Sequence, residues 1–515
     1  MSEVALAFPL PNPEENKSKD SVDERTLKKR IKDTYTEELI IGLCGPVGTD
    51  IHYVATEIGA IIKEKYSYEV EIIRLSDFIQ NHTNVQKTNN HYQNISNLIN
   101  AGNHLRSEKG NSVLAELAIN EIAIKRELKR KGGDFKSNRI CYVIDSIKNN
   151  EELELFRLIY SNLFYFIGVF SSVEVREKNL ENKGLTKPEV YQLIDRDSGE
   201  ELDFGQKVSD TFVQSDFFLR IEQSTSATIN YKIARYLSLI FNSDIVTPTS
   251  DETAMYQAFA AAGNSACLSR QVGASITNSK GEIISIGWND VPKYNGGVYT
   301  TIKEDILGSE DFRCINLHGG VCFNDIEKDL IRNLLVDKLM SQGLIKKEDM
   351  GKVEDIIKKS RIKELIEFSR AVHAEMHAII IGSQKSGHDV IGGKLYCTTY
   401  PCHNCARHII AAGIKDVYYI EPYRKSLAIK LHDDAISEKE NDDGKKVRVL
   451  MFDGVSPRRY LDLFKMMPNS RKENGKKKKT NMQQISPKNT VSLQAIPILE
   501  KEIIKELKKK HLIEV

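Results

Sequence analysis

Two short stretches most narrowly limit what this chain can fold into: His373-Ala374-Glu375 and Pro401-Cys402-His403-Asn404-Cys405. One imidazole and two thiolates suit a zinc ion, and three protein ligands leave its fourth tetrahedral position open for water. An open position belongs to a reacting metal rather than a purely structural one. Residues 371–381 are rich in Ala and apolar side chains and read as a helix start, whereas residues 394–400 alternate as a strand does. Pro401 then opens a second helix over 402–412, with Gly413 as its stop. Both thiols fall on the first turn of that helix, where the dipole and free N–H groups favour thiolate. Two helix starts facing each other would hold the ion. Glu375 lies two residues from His373, close enough to carry a proton for the water without binding the metal. A CxxC pair alone could be a redox couple or chance. The upstream His-x-Glu, the proline and the strand–helix context decide for a metal.

At 515 residues the chain is long enough for two or three domains, and its 40% hydrophobic content supports real cores. Lys+Arg (73) and Asp+Glu (72) nearly cancel, so overall charge argues for neither nucleic acid nor membrane. Eight cysteines are too sparse for a disulfide framework and point to a reducing cytoplasm. The first 32 residues carry no signal-peptide core, and no apolar run is long enough to cross a bilayer. The expectation is a soluble cytoplasmic protein.

Taken in order, residues 1–36 read as a flexible arm. Residues 38–44 read as a buried strand that runs into Gly45-Pro46-Val47-Gly48-Thr49-Asp50 and a helix over 51–66. A glycine turn between strand and helix can cradle phosphate with backbone N–H groups. The pattern resembles the P-loop of nucleotide kinases, but it is broken. Aligned on Gly45 and Gly48, Ile51 stands where the phosphate-binding Lys belongs and His52 where the magnesium-binding Ser/Thr belongs. Without that Lys, phosphoryl transfer is disfavoured. The plainer alternative is that the glycines only make a tight turn. Strands follow at 70–75, 139–145 and 163–170, with a helix over 111–131. Asp145 ends its strand as in a Walker B motif, either to hold a metal ion or simply as a strand end. Residues 195–219 resemble the lid and last strand of nucleoside-monophosphate-type kinases. Residues 37–245 are therefore expected to form a P-loop-like, doubly wound parallel sheet. Gly45, Gly48, Thr49 and Asp145 are its candidate nucleotide-binding residues.

A break at Thr247-Pro248-Thr249 precedes a helix over 251–267, with Ser250 the expected cap and Thr253 too short to complete a capping box. Helix, strand, glycine turn, strand, loop and His-x-Glu helix then follow. The stretches RQVGA (270–274), GEIISIGWNDVP (281–292), HAEMHA (373–378) and PCHNCA (401–406) resemble the deoxycytidylate deaminases over roughly 249–436. Joined to the kinase-like half, the chain resembles the long two-domain deoxycytidylate deaminases of bacterial anti-phage defence. That resemblance implies a cytidine-deaminase-like α/β/α sandwich over 249–467. It implies zinc-dependent hydrolytic deamination of dCMP or dCTP, with His373, Cys402 and Cys405 on the metal and Glu375 as the proton carrier. It further implies depletion of the deoxycytidine nucleotide pool, a regulatory nucleotide and a homo-oligomer. Carried over by position, Asn289 would bond the sugar or base edge. Arg270, Lys293, Arg424 and Lys425 are candidates for phosphate, which needs fixed positive charge. Tyr400 or Tyr423 would stack on the pyrimidine, or else pack in the core. The rival reading is a polynucleotide deaminase acting on RNA or single-stranded DNA, against which stands the lack of an interleaved basic–aromatic track. A third reading makes the N-terminal half a nucleotide-responsive sensor that restrains the enzyme.

Residues 294–369 read as an insertion. Cys314, His318 and Cys322 at C-x₃-H-x₃-C spacing could form part of a second zinc site, or a glycine-turn loop with buried thiols. Residues 468–515 read as a basic linker, with Lys476 to Lys479, followed by an amphipathic helix over 496–512. A lysine run is ordinarily a solvated linker, with RNA or another acidic partner as the alternative.

Overall fold

The structure, a computed structural model, describes residues 26–129, 138–199, 208–222, 226–303, 310–423, 426–441, 444–466 and 470–513. Leu39–Cys44 (β1), Glu69–Arg74 (β2), Ile140–Asp145 (β3), Phe164–Phe170 (β4) and Phe217–Arg220 (β5) form one parallel sheet in the order β5-β4-β1-β3-β2. β1 and β3 are buried at every position. Strands covered on both faces read as continuous apolar runs, which is why Leu39-Ile-Ile-Gly-Leu-Cys44 shows no alternation. Leu39, Ile41 and Leu43 join a core with helices Ile51–Tyr66 and Ser226–Phe241. Ile40 and Cys44 face the other way, into a core with helices Val113–Leu128 and Asn150–Tyr160. The sheet is doubly wound. Two helices that the sequence reading passed over, Leu75–His82 and His91–Lys109, lie between β2 and β3 in the chain.

The second sheet comprises Gly273–Thr277 (β6), Ile283–Trp288 (β7), Lys394–Thr399 (β8), Asp416–Glu421 (β9), Ile436–Ser437 (β10) and Val447–Met451 (β11), in the order β10-β11-β9-β8-β6-β7. β6 runs antiparallel to β7 and β8, and β8, β9, β11 and β10 are parallel. Helices Ser250–Ala262 and Ala374–Ser386 pack on it at very close range. A Cβ on Gly273 would lie 1.9 Å from the Ala258 carbonyl, and one on Gly287 would lie 2.4 Å from the Ala378 amide nitrogen. No side chain fits at either crossing.

The cap of the first of these helices is Thr249, one residue earlier than expected. Its Oγ1 accepts the Glu252 N–H at 3.1 Å, and Glu252 accepts the Thr249 N–H at 2.8 Å, closing the box that Ser250 and Thr253 could not. Buried Glu252 also accepts from Arg235 at 2.8 Å and from the Val455 N–H at 2.9 Å. Val455 belongs to Gly454–Val455 (β12), which leaves the second sheet after β11 and adds antiparallel to β5 of the first. Phe452, between β11 and β12, meets Phe218 edge-on at 6.1 Å. The two sheets therefore share a core, and the chain of the second half supplies the edge strand of the first sheet.

Among the described residues, 26–36 and 470–489 are tied into the fold, whereas residues 1–25 of the expected arm lie outside the described residues. Within the supposed arm, Leu27–Lys32 is helical and the Thr36 N–H bonds the Val491 carbonyl at 2.9 Å. The supposed linker forms a hairpin from Lys472–Glu473 and Lys476–Lys477, then returns to helix Ser226–Phe241 of the N-terminal half, where the Lys488 N–H bonds the Ile240 carbonyl at 2.7 Å. The last helix, Ile496–Lys509, lies on Val113–Leu128. There the buried Glu500 accepts from the Tyr160 hydroxyl at 2.9 Å and pairs with Arg126, which also binds Glu38 at 2.8 Å. The expected C-terminal helix is present, but most of its partners and those of the arm lie hundreds of residues away in sequence, so composition alone did not show where either end docks.

Candidate active site

His373 is the residue on which helix Ala374–Ser386 starts, and Cys402 is the one on which helix His403–Ala411 starts. Pro401 fixes the turn out of β8 that delivers Cys402. The His373 Nδ1 lies 3.3 Å from Cys402 Sγ and 3.3 Å from Cys405 Sγ. Ordinary zinc–nitrogen and zinc–sulfur bonds in a tetrahedron set such atoms about 3.6 Å apart. Among the described residues, these three form the group of metal-ligating side chains whose ligand atoms all lie within 4.8 Å of one another. The donor set fits zinc. Hydrogen bonds from Cys405 and His373 pull the Cys402 thiol far below its ordinary value, toward the thiolate that a metal requires.

Glu375 follows in the first helical turn and is 4% exposed. Burial, reinforced by the neighbouring Cys402 thiolate, raises its carboxyl to about 7. A carboxyl poised there can both take and give a proton near neutral pH.

Two supporting residues escaped the sequence reading. His377, one turn beyond His373, places Nδ1 3.2 Å from the Trp288 nitrogen and 3.1 Å from its carbonyl oxygen, with the two rings edge to face at 4.9 Å. Burial lowers its imidazole, favouring the neutral form. His377 thus ties the metal-bearing helix to the end of β7. Asp290 accepts the Ala266 N–H at 3.0 Å and faces Arg313 of the insertion at 3.7 Å. Its carbonyl takes the Val372 N–H at 2.9 Å, immediately before His373. The i+4 spacing of the two histidines was the visible signal for the first. The second had none, because Arg313 reaches Asp290 only through the fold.

The substrate-contact candidates divide. Asn289 is buried, donating to the Arg270 carbonyl at 2.9 Å and accepting the Val272 N–H at 2.8 Å. Its amide holds the 270–272 loop. Tyr400 is also buried and edge-on to Tyr419 at 4.8 Å, the core-packing alternative for this ring. Tyr423 is half-buried, within reach of the charges of Cys402 and Arg270. Arg270 is exposed and donates to Glu421 at 3.2 Å. Lys293 is exposed on a turn with Gly296. Arg424 and Lys425 lie outside the described residues.

Nor do Cys314, His318 and Cys322 gather as a ligand set. Cys314 and Cys322 line a small cavity together with Cys267, while the His318 ring packs edge-on against Phe323. His318 itself takes a left-handed backbone conformation.

At the glycine loop, a Cβ on Gly45 would lie 2.4 Å from the Val169 carbonyl, and one on Gly48 would lie 2.9 Å from the Arg176 carbonyl. The Thr49 N–H bonds the Pro46 carbonyl at 3.2 Å and the Ile51 N–H bonds the Thr49 carbonyl at 2.9 Å, so both amides point within the loop. His52 pairs with Asp145. Thr49 Oγ1 and Asp145 Oδ1 are buried, with no hydrogen-bond partner among the described residues.

Residues 248–421 match the family model for the cytidine and deoxycytidylate deaminase zinc-binding region. ComE operon protein 2 of Bacillus subtilis (strain 168) is 50% identical over 56 residues, which is 11% of this chain and 29% of that protein. The deoxycytidylate deaminase of Enterobacteria phage T2 is 29% identical over 178 residues, 34% of this chain and 81% of that one. A dCMP deaminase from cyanophage S-TIM5, solved with dCMP and dUMP, is 22% identical, covering 40% of this chain and 99% of that one at a TM-score of 0.24. The matched segment contains His373, Glu375, Cys402 and Cys405, the residues that the fold has brought together. Residues 248–421 thus carry a cytidine and deoxycytidylate deaminase zinc-binding region, with the ligand set of a zinc-dependent hydrolytic deaminase.

Proposed function

We propose that the protein hydrolytically deaminates deoxycytidine nucleotides, dCTP or dCMP, to deoxyuridine nucleotides, draining the dC nucleotide pool in defence against phage. The observation that carries the chemistry is the His373–Cys402–Cys405 cluster with the buried Glu375 beside it. Zinc bound there would supply a water acidified enough to attack at neutral pH. Glu375 is placed to take a proton from the attacking water and give it to N3 as the oxygen bonds to C4, and then to pass the remaining proton of that C4 hydroxyl to the amine, so that the C4–N bond breaks, the carbonyl forms and ammonia leaves. The exposed cations Arg270 and Lys293 are the described candidates for the substrate's phosphates, and the half-buried Tyr423 ring is the candidate face for the base.

In this reading the N-terminal sheet regulates and does not transfer phosphate. Its loop lacks the lysine that phosphoryl transfer needs, and His52 engages the acid that would hold magnesium. The buried Thr49 and Asp145 oxygens favour a ligand at the end of β1 and β3 all the same, since buried polar atoms ordinarily find partners.

The test is zinc-loaded protein incubated separately with dCMP, dCTP, deoxycytidine and single-stranded DNA, following deoxyuridine products and ammonia. Turnover of a free nucleotide is expected. Activity confined to the polymer would replace this reading with polynucleotide editing.

A further inference from the structure

Two consecutive residues of the insertion, Phe312 and Arg313, hold both sides of the backbone that leads to the ligand His373. The stretch 290–292 runs between two partners. On one side Asp290 pairs with Val372, whose N–H bonds the Asp290 carbonyl at 2.9 Å. On the other, the insertion turns back at once, so that the Tyr299 N–H bonds the Val291 carbonyl at 2.9 Å and Pro292 pairs with Val298. Arg313 is buried. Its Nε donates to both oxygens of Asp311, at 2.9 and 3.0 Å, and its Nη2 donates to Thr301 Oγ1 at 3.0 Å. Those partners belong to the insertion itself. The remaining nitrogen, Nη1, lies 3.7 Å from Asp290 Oδ2. Asp290 is 1% exposed, and its two oxygens also accept the Val291 N–H at 2.8 Å and the Ala266 N–H at 3.0 Å. A carboxylate buried this deeply needs a countercharge, and Arg313 supplies it. Phe312 makes the second grip. Its carbonyl accepts from Arg370 Nη1 at 3.3 Å, three residues before His373, and its ring meets Tyr299 edge-on at 6.0 Å. The Arg370 guanidinium also lies over the Phe323 ring at 5.3 Å, at the start of helix Phe323–Ser341 of the insertion.

We propose that Arg313 is a positioning residue for the deaminase centre and that the insertion serves as its brace: Arg313 fixes Asp290, Asp290 fixes Val372, and Val372 delivers His373 to the metal. The insertion is then a support of the metal site and not a cover over it. The rate effects rest on the deaminase reading, whereas metal affinity and ligand geometry can be read without turnover. Groups that orient a metal ligand from outside the ligand set typically change metal affinity or activity by about 10–100-fold when removed. Arg313 acts one step further out, so the low end of that range is expected. The competing account is that Arg313 only ties the insertion to itself through Asp311 and Thr301. That account predicts a lower unfolding midpoint with the metal site untouched.

Arg313→Met keeps the length of the side chain and removes its charge. It is expected to weaken zinc binding about tenfold, measured in competition with a chromogenic chelator, and to lower kcat about tenfold with KM within about twofold. The visible absorption of the cobalt-substituted protein, which reports ligand geometry in the absence of substrate, should shift. Asp290→Asn removes the other charge. The double variant should be no worse than Arg313→Met alone, because it leaves no buried carboxylate unpaired. If Arg313→Met does not fold, the double variant and Arg370→Met, which releases the Phe312 carbonyl, decide through the same spectrum and zinc affinity. Wild-type zinc affinity and cobalt spectrum in the folded variants, whatever their unfolding midpoints, would overturn the proposal, as would additive losses in the double variant. A raised KM at unchanged kcat in Arg313→Met would make Arg313 a substrate contact and overturn the positioning role as well. A wild-type protein that binds zinc but turns over no cytidine nucleotide would sink the functional reading instead, and the affinities and spectra would still decide this one.

Discussion

Glu375 is buried two residues from a metal ligand, and removing its carboxyl should separate binding from chemistry. Glu375→Ala is expected to keep about one zinc per chain while losing at least about 10²-fold in kcat, the usual contribution of a positioned proton carrier. Metal analysis beside initial rates checks both halves, and an active zinc-loaded variant would remove Glu375 from the mechanism. Cys402→Ser should do the reverse first, releasing zinc and with it all turnover, since the thiolate at this helix start is both ligand and cap. Those two residues were legible in the sequence because the ligand spacing is local: each motif fits within one turn of chain. The surroundings of Asn289 and Tyr400 were not legible, because what packs against them is not local. The Asn289 amide is engaged by the 270–272 backbone, and the Tyr400 ring is set edge-on against Tyr419, 19 positions downstream (419 minus 400). No periodicity announces such pairings.

At the scale of elements, helix Ser250–Ala262 shows how close a sequence reading can come and still miss. The capping pattern was sought at Ser250 and Thr253 and stands one residue earlier, at Thr249 and Glu252. Thr249→Ala should cost about 1 kcal/mol, read from the denaturant midpoint. The same helix crosses β6 where only glycine fits, so Gly273→Ala should destabilise more than the lost cap. The β1 and β3 strands were plain from their unbroken apolar runs. Helix His91–Lys109 was not, because its asparagines and histidines leave no clear apolar stripe, and only a few of its residues are buried.

Across the whole molecule, the last helix is as much a part of the N-terminal half as β1. Arg126 stands between Glu38 and Glu500 in the buried cluster that seats it. Arg126→Ala, which leaves two buried carboxylates unpaired, should cost about 3–5 kcal/mol, measured by thermal or denaturant unfolding. A loss below about 1 kcal/mol would mean that the cluster is wetter than it looks. None of this was legible from composition, which saw a lysine-rich tail and a polar arm. Nor could two residues, Gly454 and Val455, announce themselves as the strand that finishes the other sheet. That strand has a consequence in time. β5 ends at Arg220 and its neighbour arrives with Val455, 235 residues later in the chain (455 minus 220). At about 5–20 residues per second of synthesis, the edge of β5 waits on the order of ten to fifty seconds for its partner. An open apolar edge recruits whatever strand is near. Slowing the ribosome within that interval, by rare codons placed between the two points, should therefore lower the soluble yield without changing a single residue of the protein.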